Sequence, residues 1–210
     1  MDMKRTILLL LCLLFILTAC KQSHITGNDS PDEIMQAENL PEEYQQILLN
    51  QKAFLLYGQQ MLIDAYKSPY LQKELAHCDT VEYAVVDMDG DKKPELLIRG
   101  WSQDILVLHE ENGVVYGYDF TFQAMYNLNQ DGHYYWNANA GTTYGCSRLS
   151  FINGECKQIE LYRVEHAEND EAKFFVDNVE ASKSAFDTYC KQLTAAKAIV
   201  WYTLDGYPKK

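Results

Sequence analysis

Four turn dipeptides, Asp89-Gly90, Asn112-Gly113, Asp131-Gly132 and Asn153-Gly154, punctuate the middle of the chain at near-regular intervals. Asn-Gly and Asp-Gly accept the positive φ angles of a tight two-residue hairpin more readily than other pairs. The segments between them alternate with period two: Val81, Tyr83 and Val85 are interleaved with Glu82 and Ala84, and Tyr116, Tyr118, Phe120 and Phe122 recur at every second position. Such alternation places one set of side chains on each face of a strand. The pattern predicts an antiparallel β-meander of successive hairpins. A closed propeller needs about four blades of four strands, and this stretch supplies about half that. The expected sheet is therefore open and curved, built of propeller-blade-like hairpins.

Helical patterns flank the meander, which makes the predicted class α+β. Pro41 suits a first helical turn, and Glu42 and Glu43 complement its dipole. Tyr44, Ile47, Leu48, Leu55, Leu62 and Tyr66 then recur at helical spacings, predicting one helix from about 41 to 66, ended by Ser68-Pro69. A second helix is expected after a Ser182 or Ser184 cap, with Phe186, Tyr189, Cys190 and Leu193 as its buried face. Ile199 to Leu204 reads as a last strand, and both helices are expected on one face of the sheet.

The N-terminal end reads as an export signal: Lys4 and Arg5 precede an apolar run from Ile7 to Leu17, followed by Thr18, Ala19 and Cys20. That run falls short of the roughly 20 residues that span a bilayer. Leu17-Thr18-Ala19-Cys20 resembles the lipobox of bacterial lipoproteins. The resemblance implies cleavage before Cys20, a diacylglyceryl group on its sulfur, and a protein held by lipid at the outer face of the cell membrane. The alternative is a cysteine that merely follows a signal peptide. The expected organisation is a signal at 1–19, a lipidated Cys20 with a polar tether to 39, and one extracytoplasmic domain from 40 to 210.

The chain carries a formal charge of −12, and removing Asp2, Lys4 and Arg5 with the signal makes it −13. An acidic surface of this size repels nucleic acid and anionic lipid and favours cations. Cys78, Cys146, Cys156 and Cys190 remain in an oxidising compartment. If Asn153-Gly154 is a two-residue turn, Cys156 faces Phe151 and Cys146 faces Leu161, so these two cysteines are not neighbours across the hairpin. A Cys78–Cys190 bridge stays open.

Residues 87–98 read Asp-Met-Asp-Gly-Asp-Lys-Lys-Pro-Glu-Leu-Leu-Ile. With Asp87 as position 1, Asp89, Asp91 and Glu95 fall at 3, 5 and 9, and Lys93 at 7 offers its backbone carbonyl. Alternate oxygens of a tight loop suit Ca²⁺, which takes six to eight of them. A solvated acidic turn is the competing reading. An EF-hand is excluded, because its bidentate Glu at position 12 is Ile98 here and its Gly at position 6 is Lys92. Over about twelve residues the stretch resembles the cation loop of integrin-type FG-GAP and related VCBS repeats, DxDGDGxxDLLI. That resemblance implies Ca²⁺ held by Asp87, Asp89, Asp91, Glu95 and the Lys93 carbonyl. Affinity in the extracellular class, roughly 0.1 to 1 mM, is expected. Asn127, Asn129 and Asp131 echo the spacing, but Tyr135 at position 9 makes that loop a turn.

The exported chain as a whole looks like a group of uncharacterised lipoproteins of Gram-positive, clostridial type, which implies an address and a fold but no activity. A binding or interaction module is the expected role. Two alternatives compete with it. Residues 142–150, TTYGCSRLS, are similar to the SHGCxRL signature of L,D-transpeptidases, which would make Cys146 a nucleophile toward peptidoglycan and Arg148 a substrate-binding residue. Tyr144 stands where that signature has its His, and no upstream His-Gly supplies a base. Alternatively, Tyr116, Tyr118, Phe120, Tyr134, Tyr135, Trp136 and Tyr144 would stack on the sugars of a cell-wall glycan, against the simpler reading of aromatic strand core. His24, His77, His109, His133 and His166 show no pair at zinc-ligand spacing.

Overall fold

The computed structural model describes residues 40–65, 81–100, 103–167, 171–193 and 196–203. The signal, Cys20, the tether, Ser68-Pro69, Cys78 and Leu204 lie outside them. The described residues form twelve strands in two sheets, with an α-helix before the first strand, another before the last, and no closed barrel. No helix among them is long and apolar enough to cross a membrane.

Helix α1 spans Glu42–Leu48, with its acidic pair in the first turn and Tyr44, Ile47 and Leu48 buried. The expected continuation to Tyr66 is not formed. Asn50 takes a left-handed φ of 60°, a conformation that ends helices. Strands β1 (Phe54–Leu56) and β2 (Gln59–Met61) follow as a tight hairpin. Its turn residues, Tyr57 and Gly58, have φ of 51° and 75°. Phe54 and Leu56 are the buried residues of β1, while Leu62 of the expected stripe is 39% exposed. A period-seven coincidence thus suggested a helix where tertiary pairing imposes a strand.

The first sheet is built on a meander of β3 (Glu82–Val86), β4 (Glu95–Arg99), β5 (Ile105–Glu111) and β6 (Val114–Phe120). β1 adds parallel to β6, and β12 (Tyr202–Thr203) closes the other edge against β3. The second sheet comprises β7 (Tyr134–Ala138), β8 (Thr143–Ile152), β9 (Glu155–His166), β10 (Ala172–Val176) and β11 (Val179–Ala181), each antiparallel to the next. A single 3₁₀ turn, Asn139–Gly141, links β7 to β8.

Alternation sorts the core into layers. Leu96, Ile98, Leu106 and Leu108 pack with Tyr44 and Ile47 of α1, while Leu97, Ile105 and Val107 point the other way, onto Tyr134, Leu149 and Phe151 of the second sheet. Each such buried side chain contributes about 1.5–3 kcal/mol. On the far side of the second sheet, Cys146, Tyr162 and Val164 pack against Phe186 of helix α2, Lys183–Leu193. Ser182 caps α2, its hydroxyl accepting the Ala185 N–H at 3.3 Å. The two helices therefore cover different sheets, a correction to their expected sharing of one face. The hairpins stack as two sheets in place of the expected blade-like arrangement, because both faces of β4 and β5 are apolar and each needs a covering layer.

Asn112-Gly113 and Asn153-Gly154 are the tight turns the dipeptides predicted, with positive φ at both positions. Asp177-Asn178 makes a further one without glycine. Phe151 faces Cys156 as expected, but Cys146 faces Tyr162, not Leu161. A register shift between Cys146 and Ser147 accounts for the difference; one extra residue on the opposing strand is the signature of a β-bulge. Cys146 and Cys156 lie in different cores. Cys146, Cys156 and Cys190 carry free thiols.

Candidate functional site

The connection from Asp87 to Pro94 joins β3 to β4, and its carboxylates fold the loop around themselves. Asp87 accepts the N–H of Gly90 through Oδ1 at 2.6 Å and of Lys92 through Oδ2 at 2.9 Å. Asp89 accepts the Asp91 N–H at 3.0 Å, and Asp91 the Lys93 N–H at 2.7 Å. Such carboxylate-to-amide bonds two residues on are Asx turns, which favour tight acidic loops. Gly90 and Lys92 take left-handed φ of 85° and 73°. Lys92 stands where the FG-GAP-type pattern has Gly, and it adopts a glycine-like conformation, which costs a non-glycine residue about 1–2 kcal/mol.

Glu95, the first residue of β4, is fully buried. Its Oε2 accepts the Met88 N–H at 2.7 Å, and its Oε1 lies 2.9 Å from Nδ1 of buried His109. The antiparallel register Leu96↔Leu108 places Glu95 and His109 next in line as neighbours. His109 in turn stacks on Phe151 of the second sheet, centroids 4.2 Å apart and ring planes nearly parallel. Three carboxylates, Asp87, Asp89 and Glu95, have one oxygen each within 4.8 Å of the others. Three oxygens this close could hold one metal ion between them. Among the described residues no other group of three or more His, Cys, Asp or Glu ligands meets this geometry.

Asp91 is not in that triad; its carboxylate is exposed and turned to the Lys93 amide. His109 was not assigned to the site from sequence. Its signal is the strand register, which becomes readable only once β4 and β5 are paired.

The electrostatics follow from burial. Desolvation raises the Glu95 carboxyl, opposed by the His109 and Met88 hydrogen bonds and reinforced by Asp89. Asp89 is raised by burial first, with the Asp91 and Asp87 charges adding to it. Burial pulls His109 down, but the Glu95 hydrogen bond and the charges of Glu95, Asp89 and Asp91 outweigh it and hold the imidazole above its ordinary value. The charge of Glu95 and Asp89, which burial disfavours, is one that a nearby divalent cation would offset.

The second loop carries no equivalent cluster. Asn129 turns its amide onto the Asn127 carbonyl at 3.2 Å. Asp131 faces His133 Nδ1 at 2.6 Å and Arg148 at 3.8 Å. Gly132 sits so close to the first loop that a Cβ there would lie 2.4 Å from the Asp87 carbonyl oxygen.

The stretch around Cys146 is accounted for by packing. A Cβ on Gly145 would strike the Tyr162 carbonyl and the Trp136 ring. The Ser147 hydroxyl accepts from Trp136 Nε1 and from Gln158 Nε2, each at 2.8 Å. Burial, helped by Asp131 and Cys190, pushes the Cys146 thiol up to about 12. Of the aromatics weighed as sugar contacts, Tyr134 and Trp136 belong to the core between the sheets and Tyr135 to the core under α2. Tyr118 and Phe120 also pack against the core between the sheets, and with Tyr116 they line a cleft beside the β1–β2 hairpin.

Comparison of the chain with protein-family models, with curated proteins and with solved structures gives no match.

Proposed function

We propose that this protein is a lipid-anchored, extracytoplasmic binding module whose 87–95 loop is organised by Ca²⁺. The observation that carries the cation reading is the convergence of Asp87, Asp89 and Glu95 oxygens within 4.8 Å of one another. Two of these ligands come from a loop already closed by its own amides, and the third from a buried strand start, so the ion would tie the loop to the sheet. Hard carboxylate oxygens with no thiol or imidazole in the triad favour Ca²⁺ over zinc. The His109–Glu95 contact plays the part of an outer-sphere partner that orients a ligating carboxylate.

The anchoring reading rests on the lipobox-like Leu17 to Cys20. Radiolabelled palmitate should enter the wild-type protein and not Cys20→Ala. A binding role is preferred to thiol catalysis because the Cys146 thiol is fully buried and held near 12, far from the range of a reactive thiolate. The cation is tested by melting: millimolar Ca²⁺ should raise the melting temperature, and Asp89→Ala should remove that rise. A wild-type melting temperature indifferent to Ca²⁺ would refute the cation reading.

A further inference from the structure

A cleft of about 480 Å³ opens where the β1–β2 hairpin, β6 and the β8–β9 hairpin meet, within the roughly 300–1,000 Å³ typical of small-molecule sites. Its walls follow from strand alternation. Tyr116, Tyr118 and Phe120 project from one face of β6, and parallel pairing sets Leu55 beside Tyr116 and so brings Tyr57 alongside. The opposite wall is the β8–β9 hairpin with Gly154, Cys156 and Gln158. Glu111 holds that wall in place by accepting the N–H groups of Asn153 at 3.1 Å and Gly154 at 2.7 Å. Gly154 is needed there, since a Cβ would lie 2.6 Å from the Tyr116 ring.

One feature of the cleft serves the fold poorly. Tyr57 is 79% exposed at the tip of a tight turn and takes a left-handed φ of 51°, where Asn, Asp or Gly is favoured. A bulky aromatic in that conformation adds no core and burdens the turn, and residues held this way concentrate at functional sites. Its hydroxyl is bonded to the Asp119 carboxylate, which fixes the ring.

We propose that this cleft binds the ring of a neutral oligosaccharide, with Tyr57 as the stacking platform and Gln158 and Asp119 as hydrogen-bonding partners. The C–H face of a pyranose is weakly positive and meets the negative face of an aromatic ring, while its hydroxyls suit amide and carboxylate groups at the rim. The chain's charge of −12 and the Asp119 carboxylate in the cleft disfavour an anionic ligand. The inference rests on the reading of the chain as a binding module, and is independent of the cation loop.

The test is a calorimetric titration of the full-length chain in mild detergent with hexamers of N-acetylglucosamine and of glucose, alongside thermal melts. Saturable binding of at least one hexamer is expected. Tyr57→Asn should weaken it at least about tenfold while leaving the melting temperature unchanged or higher. Failure of both hexamers to bind would overturn the proposal, as would Tyr57→Asn binding like the wild type. Saturation by a peptide with neither sugar bound would do the same. Asp89→Ala, titrated in parallel, keeps the readings apart. Intact sugar binding with no calcium response in the wild type would sink only the cation reading, whereas a calcium response without sugar binding would sink only the cleft.

Discussion

The loops at 87–94 and 127–132 lie against each other, Gly132 of the second over the Asp87 carbonyl of the first, and both set oxygen-bearing side chains at every second residue. In the first, three carboxylates converge. In the second, Asp131 is taken up by His133 and Arg148, and Asn129 by its own loop. The difference lies in the strand that follows. Position 9 of the first loop is Glu95, pointing into the space between the sheets beside His109; position 9 of the second is Tyr135, packed in the core under α2. A loop of alternating oxygens becomes a candidate cation site only when the next strand returns a carboxylate to it.

The largest expected effect is at the contact between the loops. Gly132→Ala puts a Cβ 2.4 Å from the Asp87 carbonyl oxygen at a φ of 83°. It should cost about 2–4 kcal/mol in urea unfolding, from overpacking and left-handed strain together. A variant as stable as wild type would mean that the loops do not pack as described.

Next comes the ligand that separates the loops. At a Ca²⁺ concentration ten times the dissociation constant, the wild type should gain about 1.4 kcal/mol, or about 3–6 °C in melting temperature. Glu95→Gln, which keeps the shape and removes the charge, should abolish that gain; a surviving calcium response would show that Glu95 is not what distinguishes the first loop. Smaller still is Lys92→Gly. Relief of left-handed strain at Lys92 is offset in part by the added freedom of the unfolded chain, leaving about 0.5–1 kcal/mol of stabilisation in the same unfolding assay.

Glu95, Asp89 and His109 each hold a proton more tightly folded than unfolded, relative to ordinary values of 4.5, 3.8 and 6.5. Each contributes stability that is complete below its unfolded value and is lost as pH rises through the higher folded value. In chelator, stability contributed by the carboxylates should therefore decline as pH climbs from their ordinary range, and that of His109 as it climbs above 6.5. Calcium binds the deprotonated carboxylates, so the gap between melting temperatures with and without it should widen over the same window. A gap independent of pH would separate the cation from this cluster.

Much of the first loop could be read in advance, because carboxylates at alternate positions around Asp-Gly carry their meaning in spacing alone. Asp87, Asp89 and Glu95 converge as that spacing implies, whereas Asp91 turns to the Lys93 amide. His109 escaped because its link to Glu95 lies in strand register, fourteen positions away. Tyr57 escaped for another reason: a stripe of Leu55, Leu62 and Tyr66 imitated a helix, and only pairing of β1 with β6 made Tyr57 the tip of a hairpin beside the cleft.

Local chemistry settled what the sequence alone determined: turn dipeptides fixed the hairpins at Asn112-Gly113 and Asn153-Gly154, alternation fixed the strands, and Ser182 fixed the start of α2. These depend on neighbours in the chain, whose steric and hydrogen-bonding preferences act without distant partners. Tertiary structure decided the rest. Two apolar faces on β4 and β5 forced a second layer, which divided the helices between two sheets, buried Glu95 against His109 and Phe151, and opened the cleft beside Tyr57. Burial and register are properties of paired surfaces, and no single stretch of the chain contains both halves of a pair.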